Sequence, residues 1–353
     1  MSAAHSLITD NIDVWTSAIK KRSATGRGSN KKIELTGIKK LRELILELAV
    51  RGQLVRQDPN DEPASVLLER IAAEKFQLIK DKKIKKAKAL PEIGEDEKPF
   101  ELPPSWVWGR ISEIGHDWGQ KKPESQFTYI DVGSINKELG FIDEPSVLDA
   151  SEAPSRARKI VKNGTVIYST VRPYLLNIAV IDTQFTYEPI ASTAFAIIHP
   201  FSGISASFIY RYLRSPSFIQ YVESCQTGVA YPAVNDKQFF SGVFPVAPEY
   251  EQHRIIAKVD ELMALCDQLD HQTEDSITAH QTLVESLLAT LTRSENTEAF
   301  NQSWARIAEH FDTLFTTEHS IDQLKQTVLQ LAVMGKLTPQ DPNDEPASVL
   351  LKK

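Results

Sequence analysis

QDPNDEPASVLL occurs twice in this chain, at 57–68 and again at 340–351. Twelve consecutive residues do not recur by chance, and the likeness runs upstream at the same offset. Ile38 matches Ile321, Leu41 matches Leu324, Leu46 matches Leu329, the Leu-Ala-Val of 48–50 matches that of 331–333, and Gly52 matches Gly335. In the first copy Ile38, Leu41, Leu44/Ile45 and Leu48/Ala49 follow helical spacing; Ile321, Leu324, Val328 and Leu331 repeat it in the second. The glycine stands where a helix C-cap needs positive φ. The Asp-Pro and Glu-Pro pairs then hold the backbone extended or turned, and 64–68 can open a new helix. Each copy therefore reads as helix, stop, elbow, helix. Solenoids repeat every 20–50 residues, whereas one copy near each end points to pseudo-symmetry, one lap of a two-lap plan.

At 353 residues the chain is long enough for two or three units. Its 41% apolar and 25% charged content is that of a globular protein able to bury a core. Two cysteines, Cys225 and Cys266, are too few for a disulfide framework or a zinc site and suit a reducing cytoplasm. Residues 1–20 lack the apolar core of a signal peptide and no run of 18 apolar residues occurs, so no membrane association is expected. The net charge of −7 argues against bulk nucleic-acid binding. The charge is uneven, basic over 1–99 and acidic over 246–353, which permits DNA binding through a local basic face.

Three regions follow. Residues 1–99 are helical with a linker: a short amphipathic helix carries Ile8, Ile12, Trp15 and Ile19, 23–32 is a flexible basic link, the first repeat follows, and 69–89 is a helix with a very basic end. Acidic 91–99 marks a boundary. Residues 100–247 form a mixed α/β domain with β-prone runs at 106–111, 127–132, 165–169, 178–181 and 194–198 and helices at 207–214 and 217–224. Residues 248–353 are helical. Ile255, Val259, Leu262, Cys266 and Leu269 continue through Thr273, Ser276 and His280 to Leu283 and Leu287 as a heptad seam with a polar middle. That predicts a helix of ~40 residues, roughly 60 Å long, which needs a partner. Trp304, Ile307, Phe311 and Leu314/Phe315 mark a second helix, and the terminal repeat from Ser320 a third. The fold class is α+β: one mixed domain plus long antiparallel coiled-coil helices.

The motifs of chemistry are missing. No Gly-rich phosphate loop, no Asp/Asn-Pro-Pro-aromatic motif and no nucleophile elbow is present, and the eight histidines show no metal-ligand spacing. These absences favour a binding or architectural protein with no catalytic residue, cofactor or metal.

The residues resemble the specificity subunit of type I restriction-modification enzymes. The resemblance spans almost the whole chain and rests on LRELILELAVRGQLV (41–55) with its copy, LPPSWVWGRISEIG (102–115), VIYSTVRPYLLNIAV (166–180) and FPVAPEYEQHRIIAKVDELMALCDQL (244–269). It implies a non-catalytic chain that chooses a bipartite double-stranded DNA site for separate methyltransferase subunits, with restriction subunits as a further partner. Full-length members have two recognition domains, while this sequence contains one. Specific recognition needs side chains at base edges and phosphate contacts that fix register. The candidates are Lys121, Lys122, Arg156, Arg158, Lys159, Tyr168, Arg172, Tyr174, Gln226, Tyr231, Asn235 and Lys237 for DNA, and Trp304, Phe311 and Phe315 for the partner. Arg156, Arg158 and Lys159 read as one phosphate-facing loop. The rod is expected to leave apolar surface for an antiparallel second copy, giving a homodimer that reads a split palindrome. The competing reading is a coiled-coil assembly scaffold whose central domain binds protein.

Overall fold

The computed structural model describes residues 8, 10–18, 20–21, 33–86, 90–228, 230–338 and 343–351. The basic link at 23–32 and residues 87–89 lie outside the described residues. The chain forms two compact units, Met1–Asp267 and Gln268–Lys353. The expected regions 1–99 and 100–247 thus fall within one compact unit.

Helix α1 (Ile12–Ser17) is shorter than the spacing up to Ile19 suggests. Its continuation is diverted into a small antiparallel ribbon of β1 (Lys20–Lys21) with β2 (Ile33–Glu34). The first repeat then folds as its sequence dictates. Helix α2 (Thr36–Val50) buries Ile38, Leu41, Ile45, Ala49 and Val50. Gly52 closes it at φ 67, donating its N–H to the Ala49 carbonyl while Gln53 donates to Leu48, the paired bonds of a Schellman cap. Helix α3 (Ala64–Lys80) begins where Ala64 N–H donates to the Ser105 carbonyl. It ends well before residue 89. Lys82 stands at φ 58, with Lys82 and Lys83 donating to the Ile79 and Leu78 carbonyls. Extending the helix would line up Lys82, Lys83, Lys85 and Lys86 as like charges, so the cap wins.

The mixed domain runs through β3 (Val107–Arg110), α4 (Ile111–Ile114), β4 (Gly115–His116), β5 (Phe127–Ile130), β6 (Ile135–Asn136), β7 (Phe141–Ile142), β8 (Ser146–Leu148), β9 (Ala157–Ile160), β10 (Val166–Ser169), β11 (Ile178–Val180), β12 (Glu188–Ser192), β13 (Phe195–Pro200), α5 (Ala206–Leu213), α6 (Pro216–Cys225), α7 (Asp236–Ser241) and β14 (Val243–Val246). Two four-stranded sheets result, in orders β11-β10-β13-β4 and β8-β5-β12-β9. All their pairings are antiparallel except β5 with β12. Ile130, Ile167, Ala191, Phe195 and Ile197, drawn from both sheets, share one apolar core. A second layer is aromatic: Tyr168 packs on Phe218 and Phe239, and Tyr212 on Phe218 and Phe244, edge-to-face or tilted as ring quadrupoles prefer.

Helix α8 (Glu249–Arg293) is 45 residues long. Ile255, Val259, Leu262 and Cys266 are buried as the seam requires. Helix α2 runs antiparallel to this part: Arg42 reaches Asp267 and the Met263 carbonyl, and Gln57 reaches Glu251. Further along, Val284 and Leu288 are buried while Leu283 is half exposed. A straight helix of 3.6 residues per turn drifts by about 20° per heptad, so over the four heptads from Ile255 to Leu283 the drift reaches about 80°, most of the roughly 100° between neighbouring residues, and the inward position moves on by one.

In the second unit α9 (Thr297–Glu309), α10 (Phe311–Leu314) and α11 (Glu318–Val333) follow, with α12 (Ala347–Leu350) after them. Val284, Leu288, Leu291, Ile307 and Leu314 make the core, with Phe300, Phe315 and Leu324 against it. Helix α11 runs in the same sense as the end of α8, since Gln323 bonds Glu285 and Lys336 bonds the Thr292 and Ser294 carbonyls. The repeat keeps its cap: Gly335 stands at φ 66 and donates to Ala332, and Lys336 donates to Leu331. Its surroundings differ. Val50 is 0% exposed, and its counterpart Val333 is 90% exposed. The same substitution at these matched positions is expected to diverge. Val50→Ala should cost about 2 kcal/mol from lost burial and the cavity left, and Val333→Ala less than about 0.5 kcal/mol, by urea unfolding. Equal costs would refute the burial argument.

Candidate nucleic-acid interface

Cations and exposed aromatics gather where the two sheets meet. Ser192 at the end of β12 lies opposite Ala157 at the start of β9, and Phe195 at the start of β13 lies opposite Ser169 at the end of β10. The turn between β12 and β13 ties both edges together: Thr193 N–H donates to the Arg156 carbonyl and Thr170 N–H to the Ala194 carbonyl, each at 2.9 Å. The 226–235 segment joins the same end. Val234 N–H donates to Thr170, Arg172 N–H to Pro232, and Thr227 and Ala233 exchange both backbone bonds. Backbone pairing therefore brings Arg156, the 170–176 loop and the segment around Tyr231 together.

The loop is unusual in its conformation. Arg172 (φ 50, ψ 58) and Leu176 (φ 53, ψ 40) are both left-handed and flank one 3₁₀ turn of Pro173–Leu175. For residues with a Cβ this costs about 1–2 kcal/mol each. The structure holds it through Leu175 N–H to the Arg172 carbonyl, Leu176 N–H to Pro173, and the Ser169 hydroxyl to the Val171 carbonyl. Pro173 and Asn177 are buried while Val171, Tyr174 and Leu175 are exposed. The Arg172 guanidinium lies 4.8 Å from the centre of the Tyr231 ring.

Electrostatics divides the cations. Among the described residues no ion pair engages Lys122, Arg156, Arg158, Arg172 or Lys237. Lys121 is tied to Glu188. Lys159 is buried, 3.8 Å from both Asp117 and Asp236. Among the described residues no group of three histidine, cysteine, aspartate or glutamate side chains could hold a metal.

Two comparisons with known proteins agree. Over 98% of its length this chain is 49% identical to the EcoAI type I restriction enzyme specificity subunit of Escherichia coli, and over 99% it is 47% identical to the EcoEI specificity subunit of that organism. Over nearly its whole length the chain is similar to type I restriction specificity subunits. It spans about 60% of the length of these two curated relatives. A chain from the structural study of complex assembly and conformational transition of the type I R-M system is 31% identical, with a TM-score of 0.50 over 54% of this chain and 50% of that one. The HsdS subunit from Thermoanaerobacter tengcongensis is 32% identical over 55% of this chain and 51% of its own, with a TM-score of 0.49. No family model matches.

Within this fold the sequence candidates separate. Arg156, Arg172, Tyr174 and Tyr231 share the end just described, Arg158 follows Arg156 on β9, and Lys237 is exposed on α7. Asn235 N-caps α7, its Oδ1 accepting Gln238 N–H at 2.9 Å, so its position is explained by the helix. Gln226 C-caps α6 with its Oε1 buried and without a hydrogen-bond partner among the described residues. Lys122 is exposed beside the Lys121–Glu188 pair. Two expectations are corrected. Tyr168 is 2% exposed in the aromatic layer, where burial raises its hydroxyl pKa well above the usual range, and it cannot reach a ligand. Residues 156–159 are no loop: 157–160 is a strand, and alternation across it turns Lys159 inward while Arg158 faces the other way. Sequence reading missed Val171 and Leu175. Charge gives no hint of them, and only the left-handed residues around Pro173 expose them.

On the paired strands β4 and β13, sequence reading also missed a half-buried imidazole pair. The His116 and His199 rings lie 5.3 Å apart, packed by Trp118 and Phe201, with Thr165 Oγ1 3.0 Å from His199 Nδ1 and the Lys162 ammonium 3.6 Å from the Trp118 ring centre. Burial lowers both histidine pKa values, that of His199 to about 4, helped by His116 and Lys162. A base whose folded pKa is depressed takes up protons more readily when unfolded. Stability from this pair is therefore complete above about pH 6.5 and is lost as pH falls towards 4. His199→Gln is expected to flatten that slope in urea titrations at pH 7 and pH 5; an unchanged slope would show that these rings do not carry it.

Proposed function

We propose that this chain is the non-catalytic, sequence-reading subunit of a type I restriction-modification enzyme, directing methyltransferase and restriction subunits to a bipartite site in double-stranded DNA. The observation that carries this reading is its 49% and 47% identity to two specificity subunits over nearly its whole length. The site supports it. In a chain of net charge −7, Lys122, Arg156, Arg158, Arg172 and Lys237, which have no ion pair among the described residues, together with exposed Val171, Tyr174, Leu175 and Tyr231 suit a partner that is polyanionic outside and apolar within its grooves, which describes duplex DNA. Arg156, Arg158, Lys122 and Lys237 hold phosphates, and the 170–176 loop with Tyr231 meets the bases. The acidic total gives little steering, so tight binding belongs to the complex with its methyltransferase rather than to the chain alone. No described helix is long and apolar enough to cross a membrane, and the protein works in the cytoplasm.

Partner contacts fall to the helical unit. Trp304 and Phe311 are about 40% exposed there. Phe315 packs against the unit's own core instead, its ring centre 4.8 Å from that of Phe311. The seam of α8 at Ile255, Val259 and Leu262 is buried in its own unit. The apolar surface open to a second copy therefore lies on α11, at Ile321, Val328, Leu329 and Val333, and a homodimer would form there.

In the complex with methyltransferase, Arg156→Ala with Arg158→Ala is expected to weaken binding to all duplexes. It should flatten the salt dependence by about one unit of slope for each phosphate no longer neutralised. Lys159→Ala should leave the slope intact and cost about 1–2 kcal/mol of stability. A slope untouched by the arginine pair would remove β9 from the interface. Trp304→Glu with Phe311→Glu is expected to abolish co-purification with methyltransferase while circular dichroism stays unchanged; survival of the complex would place docking elsewhere.

A further inference from the structure

The candidate end contains two kinds of arginine. Arg156 is an exposed cation at the start of a strand, with no ion pair among the described residues to fix the direction of its long side chain. Arg172 is the opposite. Its backbone is pinned in a left-handed conformation by its N–H to Pro232 and by Leu175 N–H to its carbonyl. Its guanidinium is laid 4.8 Å from the Tyr231 ring centre, and among the described residues no carboxylate pairs with it. A phosphate anchor needs none of this, because phosphates line the whole duplex and a mobile charge finds one. A base reader needs all of it, since a base edge sits at one place and presents acceptors in one plane. The ring beside the guanidinium sets where the group lies, and no ion pair among the described residues takes its N–H donors. The exposed Val171, Tyr174 and Leu175 beside it would displace water from around such a contact.

We infer that Arg172, oriented by Tyr231, reads a base edge in the major groove, donating two N–H bonds to O6 and N7 of a guanine. Arg156 and Lys237 hold the DNA backbone. This rests on the DNA-recognition reading above and adds to it which side chain discriminates. The left-handed strain at Arg172 and Leu176 is then the cost of holding the loop in its reading position.

The test is selection from a randomised duplex library with the full chain in complex with methyltransferase, followed by affinities for the enriched site and its single-base variants. Wild type is expected to enrich a site with an invariant guanine. Arg172→Ala should reduce discrimination at that one base pair from about 10–100-fold to near unity, leaving the other positions and the salt slope unchanged. Arg172→Lys should fail similarly, because an ammonium cannot donate in a fixed fork. Tyr231→Phe should keep discrimination and Tyr231→Ala should lose most of it; thermal melts check that each variant folds. A uniform loss across all sequences with a shallower salt slope would make Arg172 a phosphate anchor and overturn the inference alone, as would unaltered discrimination. If wild type enriches no sequence, the DNA-recognition reading falls and takes this assignment with it.

Discussion

One buried carboxylate fixes the arrangement of the first unit. Glu251, in the first turn of α8, accepts the Trp106 indole N–H at 3.0 Å and the Gln57 side-chain amide. Burial raises its pKa, and these two donors counter the rise by bonding the charged form. Each donor belongs to a different part of the chain: Gln57 to the elbow of the first repeat, and Trp106 to the approach to β3. Gln57 also donates to the Gly52 carbonyl and accepts the Ser105 hydroxyl. Next along the helix, buried Gln252 donates to the Gly203 and Ala247 carbonyls and accepts Ser205 N–H, and Arg254 pairs with Asp61. Losing one partner at such a site leaves a buried charge or amide unmet, which costs more than the bond contributes. The elbow, the mixed domain and the long helix are therefore set by one polar knot, and the sheets with the candidate interface are placed against it.

Much of this was legible in the sequence because the signals were local. The two Schellman caps follow from a glycine after an apolar stripe. The strands at 107–110, 166–169 and 195–200 lie within a residue or two of the β-prone runs. The seam of α8 held while helical drift stayed small and slipped at Leu283 once it had accumulated. What escaped was non-local. Lys159 reads as one of three cations until β9 is known to be a strand whose pleat separates neighbours. Tyr168 lies on a strand buried throughout, so no alternation shows which way it points. Arg172, Tyr174 and Tyr231 could be chosen as loop residues near prolines, but their assembly depends on bonds from 170–172 to 232–234, which no local pattern encodes.

The two repeats separate what a sequence encodes from what its surroundings add. Both copies reach the same helix and the same cap, so those are intrinsic. Burial is not: the Val50 position is sealed in one copy and open in the other. Polar differences track this. Glu47 accepts Ser217 N–H at 3.1 Å and Arg51 lies 4.7 Å from the Phe100 ring centre, whereas the matching positions hold Gln330 and Met334. The first copy is thus marked for its seat by charges that the second lacks.

That asymmetry bears on how the chain assembles during synthesis. A ribosome releases the first repeat before the mixed domain that must cover it, so its apolar face waits while well over a hundred residues emerge. The second repeat, carrying nearly the same face, appears only after that cover has closed. Chains fold largely in the order in which they are made, so vectorial release hands the seat to the first copy. On refolding from denaturant both copies compete at once, and Glu47 with Arg51 are left to decide between them. Synthesis therefore supplies a temporal ordering that the free energy of the near-identical apolar faces does not.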